Sequence, residues 1–330
     1  MHWVSTFVDA QFFNIQEYID ARRVPATVHS FIYMKNTLKK HISDTIKISS
    51  LSGHERNLAD HLFTVLLVAG LKPQKQNGNV VARIAGKNSD KALIFNAHMD
   101  TTTPGALSLW KFPPYGKEAG MEQDGKIYGV GASDDKASLG TLVTLAEELV
   151  KKQPPIDVWI TFVREEGTGG AGTKSFLSWF EQSKWLTKYQ EISVVVCGPT
   201  DMEEVRIGHR GNFNAMITAR GESGHGSQAH TVKKQAIIDT LDIIAEIKKL
   251  EKNWQKNFND KVLGKPTIAI TSIQGGDPFS PTKFPDTCAI TLDVRTTPAL
   301  DKKAFGLLEK LAKKMKAEVK IVYNPAPPGH

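Results

Sequence analysis

The sequence predicts an α/β protein, a mostly parallel-sheet domain carrying an inserted ferredoxin-like domain of split βαβ type, and three observations predict it. Short apolar strand patterns alternate with helical ones as far as about Val196, the signature of a layered sheet with helices on its faces. After about Val205 the order becomes strand, helix, strand, strand, helix, strand. A length of 330 residues also suits two domains of ordinary size. The expected boundaries are an unassigned extension over 1–30, a first domain over 31–206, a second over 207–323, and the start of a return to the first over 324–330.

Each element rests on its own pattern. Helical periodicity runs from Phe31 to about Ile46, and Ser52-Gly53 separates it from a second amphipathic helix over Glu55–Ala69 that Gly70 ends. Val80–Ile84 and Ala92–Asn96 read as strands, followed by a proline-bearing loop, a helix over Lys136–Lys151, a strand over Ile156–Val163, a helix over Gly172–Phe180 and a strand over Ile192–Val196. In the second domain the expected order is strand Gly208–Arg220, helix His230–Lys252, strands Thr267–Gln274 and Cys288–Arg295, helix Leu300–Lys316 and strand Glu318–Tyr323. Ile237, Leu241, Ile244, Ile247 and Leu250 recur every three or four residues, which gives the first of these helices an apolar face.

Composition excludes several classes. With 40% hydrophobic and 23% charged residues the chain is neither fibrous nor disordered, and its most apolar stretch, Leu62–Leu71, is far shorter than the roughly 20 residues of a membrane span. No basic cluster precedes the first apolar positions, so a secretory signal is not expected and the location is read as cytoplasmic. Cys197 and Cys288 lie in strand-like runs without zinc-knuckle spacing and read as two buried thiols. The net charge of +7 collects over Thr231–Lys320, with 17 Lys+Arg against 11 Asp+Glu. Lysines such as Lys248, Lys249, Lys252 and Lys256 fall on helix faces there, which argues for a solvated helix surface and against a nucleic-acid partner.

The chemistry-bearing residues follow strand ends. The strand ending at Asn96 runs into Ala97-His98-Met99-Asp100, a histidine and a carboxylate two residues apart where sites form in open α/β sheets. Gly129-Val130-Gly131-Ala132-Ser133-Asp134-Asp135-Lys136 places an acidic pair at a glycine-rich turn entering a helix, without the spacing of a nucleotide loop. Strand Val158–Val163 delivers Arg164-Glu165-Glu166-Gly167. Adjacent side chains diverge, so one carboxylate of the Glu165–Glu166 pair can bind metal while the other faces substrate. One histidine and several carboxylates at one sheet edge suit a divalent metal, zinc first among them.

These segments, followed in order by Gly208-His209-Arg210-Gly211, Gly224-His225-Gly226-Ser227, Phe284-Pro285-Asp286 and Leu292-Asp293-Val294-Arg295, resemble the co-catalytic zinc hydrolase family. That family contains acetylornithine deacetylase, succinyl-diaminopimelate desuccinylase, peptidase T and carnosinase. The resemblance implies a catalytic domain with an inserted lid, two Zn2+ ions (or another divalent ion such as Co2+), hydrolysis of an amide or peptide C–N bond, and a homodimer formed through the lid. It makes His98, Asp134 and Glu166 metal ligands, with Asp134 bridging and the Asp134–Asp135 peptide cis. Asp100 would orient His98, Glu165 would be the general base, and His225 would reach the developing oxyanion. The lid's basic surplus is compatible with a small, carboxylate-bearing amide or peptide substrate.

The sequence also departs from the family. Gly198 stands where relatives carry a metal-binding carboxylate, with Asp201 the nearest acid to replace it. Thr282-Lys283 stands where an asparagine is common, and the last zinc histidine, which His330 does not replace, is absent along with an expected C-terminal part of the catalytic layer. The departures leave a second reading, a catalytically impaired member that acts as a binding or interaction protein, and poor metal binding is expected for residues 1–330 alone.

Overall fold

The computed structural model describes residues 28–201, 204–322, 326, 328 and 329. The expected extension over 1–30 therefore lies outside the described residues except for its last three, which belong to helix α1 (Val28–Lys47).

Helix α2 (Arg56–Val68) buries Leu58, Leu62 and Leu66, spaced one turn apart. Strands β1 (Gln74–Gln76), β2 (Asn79–Ile84) and β3 (Asn88–His98) follow, and then the hairpin β4 (Met121–Gln123) and β5 (Lys126–Tyr128). Helix α3 (Lys136–Lys151), β6 (Ile156–Val163), α4 (Ala171–Gln182), α5 (Trp185–Lys188) and β7 (Glu191–Val196) complete the first unit. Its sheet has the order β1-β2-β6-β3-β7. Only the β3 pairings with β6 and β7 are parallel, so the sheet is mixed where a mostly parallel one was expected. For β1 and β2 the reason is local: they are joined by Asn77-Gly78, both at positive φ, and so short a turn can only reverse the chain; β2 also pairs antiparallel with β6.

Alternation along β6 explains why this strand reads as continuously apolar. Val158, Ile160 and Phe162 pack with α2 and α3 residues such as Leu62 and Leu139. Trp159 points to the opposite face, against Phe176, Phe180 and Tyr189. Both faces are covered, so every residue from Asp157 to Val163 is buried. Helix α1 packs on α3 at a glycine: a Cβ on Gly140 would sit 2.6 Å from Ile42 Cγ1 and 2.7 Å from the Ile42 backbone nitrogen.

The second unit comprises β8 (Gly211–Arg220), α6 (Ala236–Asn257), β10 (Thr267–Gly275), β12 (Thr287–Thr296), α7 (Asp301–Lys314) and β13 (Glu318–Ile321). Its antiparallel sheet has the order β10-β12-β8-β13, with α6 and α7 supplying Ile243, Ile247, Ala304 and Leu308 to the core. A small ribbon, β9 (Gly224–His225) with β11 (Lys283–Phe284), pairs His225 with Lys283. Helix α6 starts six residues later than expected. Glu222 N donates to Lys234 O and Lys233 N to Glu222 Oε2, so the segment before it is tied to the chain leaving β8. Helix α6 also ends five residues later than expected, because fully buried Trp254 anchors its last turns.

Candidate active site

Three parallel strand ends and one helix start meet at a cavity of about 210 Å3 lined by Asn96, His98, Asp134, Glu166, Val196, Cys197, Gly198 and Pro199. β3 ends at His98, β6 hands over to Arg164–Gly167, β7 leads into Cys197-Gly198, and Asp134-Asp135 precede α3. These are carboxyl ends of neighbouring strands, where an open sheet leaves its crevice. The Asp134–Asp135 peptide is cis, as the resemblance implies.

His98 is held from both sides. Its Nε2 lies 3.0 Å from Asp134 Oδ1, and its Nδ1 lies 3.0 Å from the Asp100 backbone oxygen and 3.4 Å from Asp100 Oδ1. Burial opposes a charge on this ring, but hydrogen bonding to Asp100 and Asp134 outweighs it and pushes the imidazole up to about 10. The hydrogen bond from His98 holds Asp134 below the usual carboxylate range.

Asp100 does more than face His98. Its Oδ1 accepts from Glu166 N at 2.9 Å, and its Oδ2 accepts from Gly167 N at 3.1 Å and Ser52 Oγ at 2.8 Å. Burial alone would raise its pKa, and these donors together with His98 overcome that and depress it. The buried carboxylate thus joins the end of β3 to the turn after β6 and to the loop before α2.

Three further residues carry the site: Glu55, which the sequence did not single out, and Asp135 and Lys136, which it marked only as part of the glycine-rich turn and gave no role. Buried Glu55 accepts from Gly53 N at 2.9 Å and Glu165 N at 3.0 Å through one oxygen. Asp135, fully buried, accepts from His98 N at 3.1 Å, and its other oxygen has no partner among the described residues. Burial pushes Asp135 up to about 6. Lys136, buried one residue further on, donates from Nζ to Ile48 O at 2.6 Å, and burial pushes it down to about 8. The only sequence signal for Glu55 was a polar run, Ser52-Gly53-His54-Glu55, that also reads as a helix start.

The two adjacent glutamates do diverge. Glu166 lines the cavity, whereas the Glu165 carboxylate pairs with Arg164. Glu165 has φ +52, a left-handed backbone that costs a non-glycine residue roughly 1–2 kcal/mol, and its carbonyl accepts from Gly170 N at 2.9 Å. His225 is not among the cavity-lining residues; it sits on the β9–β11 ribbon with its Nδ1 2.8 Å from Ser227 Oγ. Asp201 is exposed and does not line the cavity either. Cys288 is buried, but Cys197 is only half-buried; it borders the cavity while packing against the core, and burial pushes its thiol up to about 11.

The donor set fits a metal in part. An imidazole nitrogen and a carboxylate oxygen 3.0 Å apart suit one borderline divalent ion, and Glu166 shares their cavity. Among the described residues, no three His, Cys, Asp or Glu side chains close around one point, so a fully ligated two-ion centre is not formed. No helix among the described residues is long and apolar enough to cross a membrane.

Comparison with known proteins bears on the whole arrangement. A succinyl-diaminopimelate desuccinylase of Cereibacter sphaeroides is 29% identical over 266 residues, covering 77% of this chain and 66% of that protein. The chain thus spans just under two thirds of the length of such relatives. The M20 family metallo-carboxypeptidase Sso-CP2 from Sulfolobus solfataricus shares the fold with a TM-score of 0.66 at 21% identity, over 88% of this chain and 79% of that one. Human carnosine dipeptidase 1 does so with a TM-score of 0.63 at 16% identity, over 94% and 79%. Residues 94–330, which include every strand end at the cavity, match the peptidase family M20/M25/M40, and the chain belongs to that family.

Proposed function

We propose that the protein is a metallohydrolase that cleaves the C–N bond of a small amide or peptide. The observation that carries this reading is the His98–Asp134 pair, 3.0 Å apart on a cavity shared with Glu166, in a chain of this family. His98 Nε2 and Asp134 would hold one divalent ion, zinc in the first instance or cobalt in its place, and Glu166 would be a ligand of a second. When bound, such an ion supplies Lewis-acid polarisation of a carbonyl and acidification of a water molecule.

The chain's own residues do the rest. Asp100 and its neighbours keep the His98 ring oriented. Glu165 takes the proton of the attacking water and returns it to the leaving amine, for which its carboxylate has to leave Arg164. His225, brought by a partner subunit's lid, donates to the developing oxyanion. The basic surplus over Thr231–Lys320 favours a substrate with a free carboxylate.

The expected dimer needs a free strand edge. β8 is interior, between β12 and β13; among the described residues the open edges are β10, where Ile273 is 53% exposed, and β13. Sedimentation that shows a dimer at micromolar concentration, and a monomer for Ile273→Lys, supports pairing through β10. A wild-type monomer removes His225 from the mechanism.

Glu165→Gln is expected to lower turnover of a dipeptide or an N-acyl amino acid by about 10²–10⁴ with metal content unchanged. Glu166→Gln is expected to lower metal content instead. Wild-type turnover in Glu165→Gln overturns its role as the base.

A further inference from the structure

We infer that the His98–Asp134 pair holds a divalent ion weakly and exchangeably, through two protein donors, because residue 198 supplies none. The inference deepens the proposed function and rests on its reading of His98 and Asp134 as the metal-holding pair.

Gly198 lines the same cavity as His98, Asp134 and Glu166. Nothing in the fold requires a glycine there. Its φ lies outside the left-handed region, and a Cβ placed on it meets no atom within 4 Å. Compare Gly140, whose added Cβ would run into the Ile42 backbone. A side chain at 198 is therefore sterically free, and a carboxylate there would be the third donor on a cavity that has an imidazole and a carboxylate in place. Catalytic zinc sites ordinarily use three protein ligands, and the described residues bring no three donors together.

The neighbours do not compensate. Cys197 borders the cavity but packs against the core cluster of Leu58, Leu62 and Phe162. Asp201 lies outside the cavity lining, and Glu166, though on it, does not close around one point with His98 and Asp134 among the described residues. With two side-chain donors, the remaining positions around an ion fall to water or to a carboxylate or carbonyl of the substrate, so binding of metal and of substrate should be mutually dependent.

The test is titration with Zn2+ and with Co2+ against a chromophoric chelator, together with elemental analysis after gel filtration. Wild type, Gly198→Asp, Gly198→Glu, Gly198→Ala and His98→Ala are compared, with folding checked by circular dichroism. Wild-type protein is expected to lose its metal on gel filtration. At least one of the two acidic variants is expected to bind at least about tenfold more tightly than Gly198→Ala, since it completes a three-ligand set.

Two tightly retained ions in wild type, or no gain in both acidic variants, overturns the inference. A near-ultraviolet thiolate-to-cobalt absorption band in wild type also overturns it, by making Cys197 the third donor. Undiminished metal binding in His98→Ala instead overturns the reading of the metal-holding pair, which separates the two failures.

Discussion

Asp157 shows what one buried charge does in this fold. It is fully buried at the start of β6, where it accepts from Tyr189 Oη at 2.6 Å, Gly86 N at 2.9 Å and Arg83 Nε at 2.8 Å. Arg83 in turn lies over the Trp185 ring at 4.9 Å. Burial would raise the Asp157 pKa, and these donors outweigh it and lower it from the ordinary 3.8. A carboxylate with a depressed folded pKa contributes stability that is present above its unfolded value and lost as pH falls through the folded one. Asp157→Asn should therefore cost about 1.5–3 kcal/mol at neutral pH, the range for hydrogen bonds to a charged group. The gap between the two proteins should narrow as pH falls below 3.8. Urea titrations of both at several pH values check it, and a gap independent of pH refutes the charge argument.

Two glycines separate backbone strain from crowding in the helices and hairpins. Gly125 closes the β4–β5 hairpin at φ +74 with no atom within 4 Å of an added Cβ, so Gly125→Ala should cost only the left-handed conformation, about 1–2 kcal/mol. Gly140 has an ordinary φ, but its added methyl would overlap the Ile42 backbone, so Gly140→Ala should cost about 1–3 kcal/mol by pushing α1 off α3. Adding Ile42→Ala should recover little of that loss, because the 2.7 Å approach is to a backbone nitrogen. Chemical denaturation of the three variants distinguishes the mechanisms; full recovery in the double variant shows that the side chain alone was in the way.

Among the described residues, β7 is one of the two edges of the first sheet, opposite the three-residue β1, and carries Val194, Val195 and Val196 at 56%, 43% and 73% exposure. An apolar strand edge with unpaired backbone groups recruits other strands. Residues 1–330 should accordingly self-associate through β7 on concentration, and Val195→Lys should delay this. Light scattering against concentration measures it. Equal scattering from both proteins assigns the association to another surface, such as the β10 edge.

Much of the architecture and part of the site are legible along the chain. Helix α3 falls on the residues its pattern marks, as does β6, and His98, Asp134 and Glu166, read from strand ends and a glycine turn, line one cavity. Periodicity and strand-end placement are local properties, and local physics suffices to read them. The hairpins at Asn77-Gly78 and Asp124-Gly125 were not read from the sequence, because β1, β4 and β5 have three residues each and are too short to show alternation.

What no pattern along the chain reveals is which distant groups satisfy each other. Glu55 holds the backbone of Glu165 from 110 residues away, and Asp100 ties Ser52 to Gly167. Glu165 turns to Arg164 and leaves the cavity to Glu166. β8 lies inside its sheet, which moves the free edge to β10 and β13. Each outcome depends on buried polar groups finding partners, and strands finding neighbours, across segments that meet only when the chain is folded.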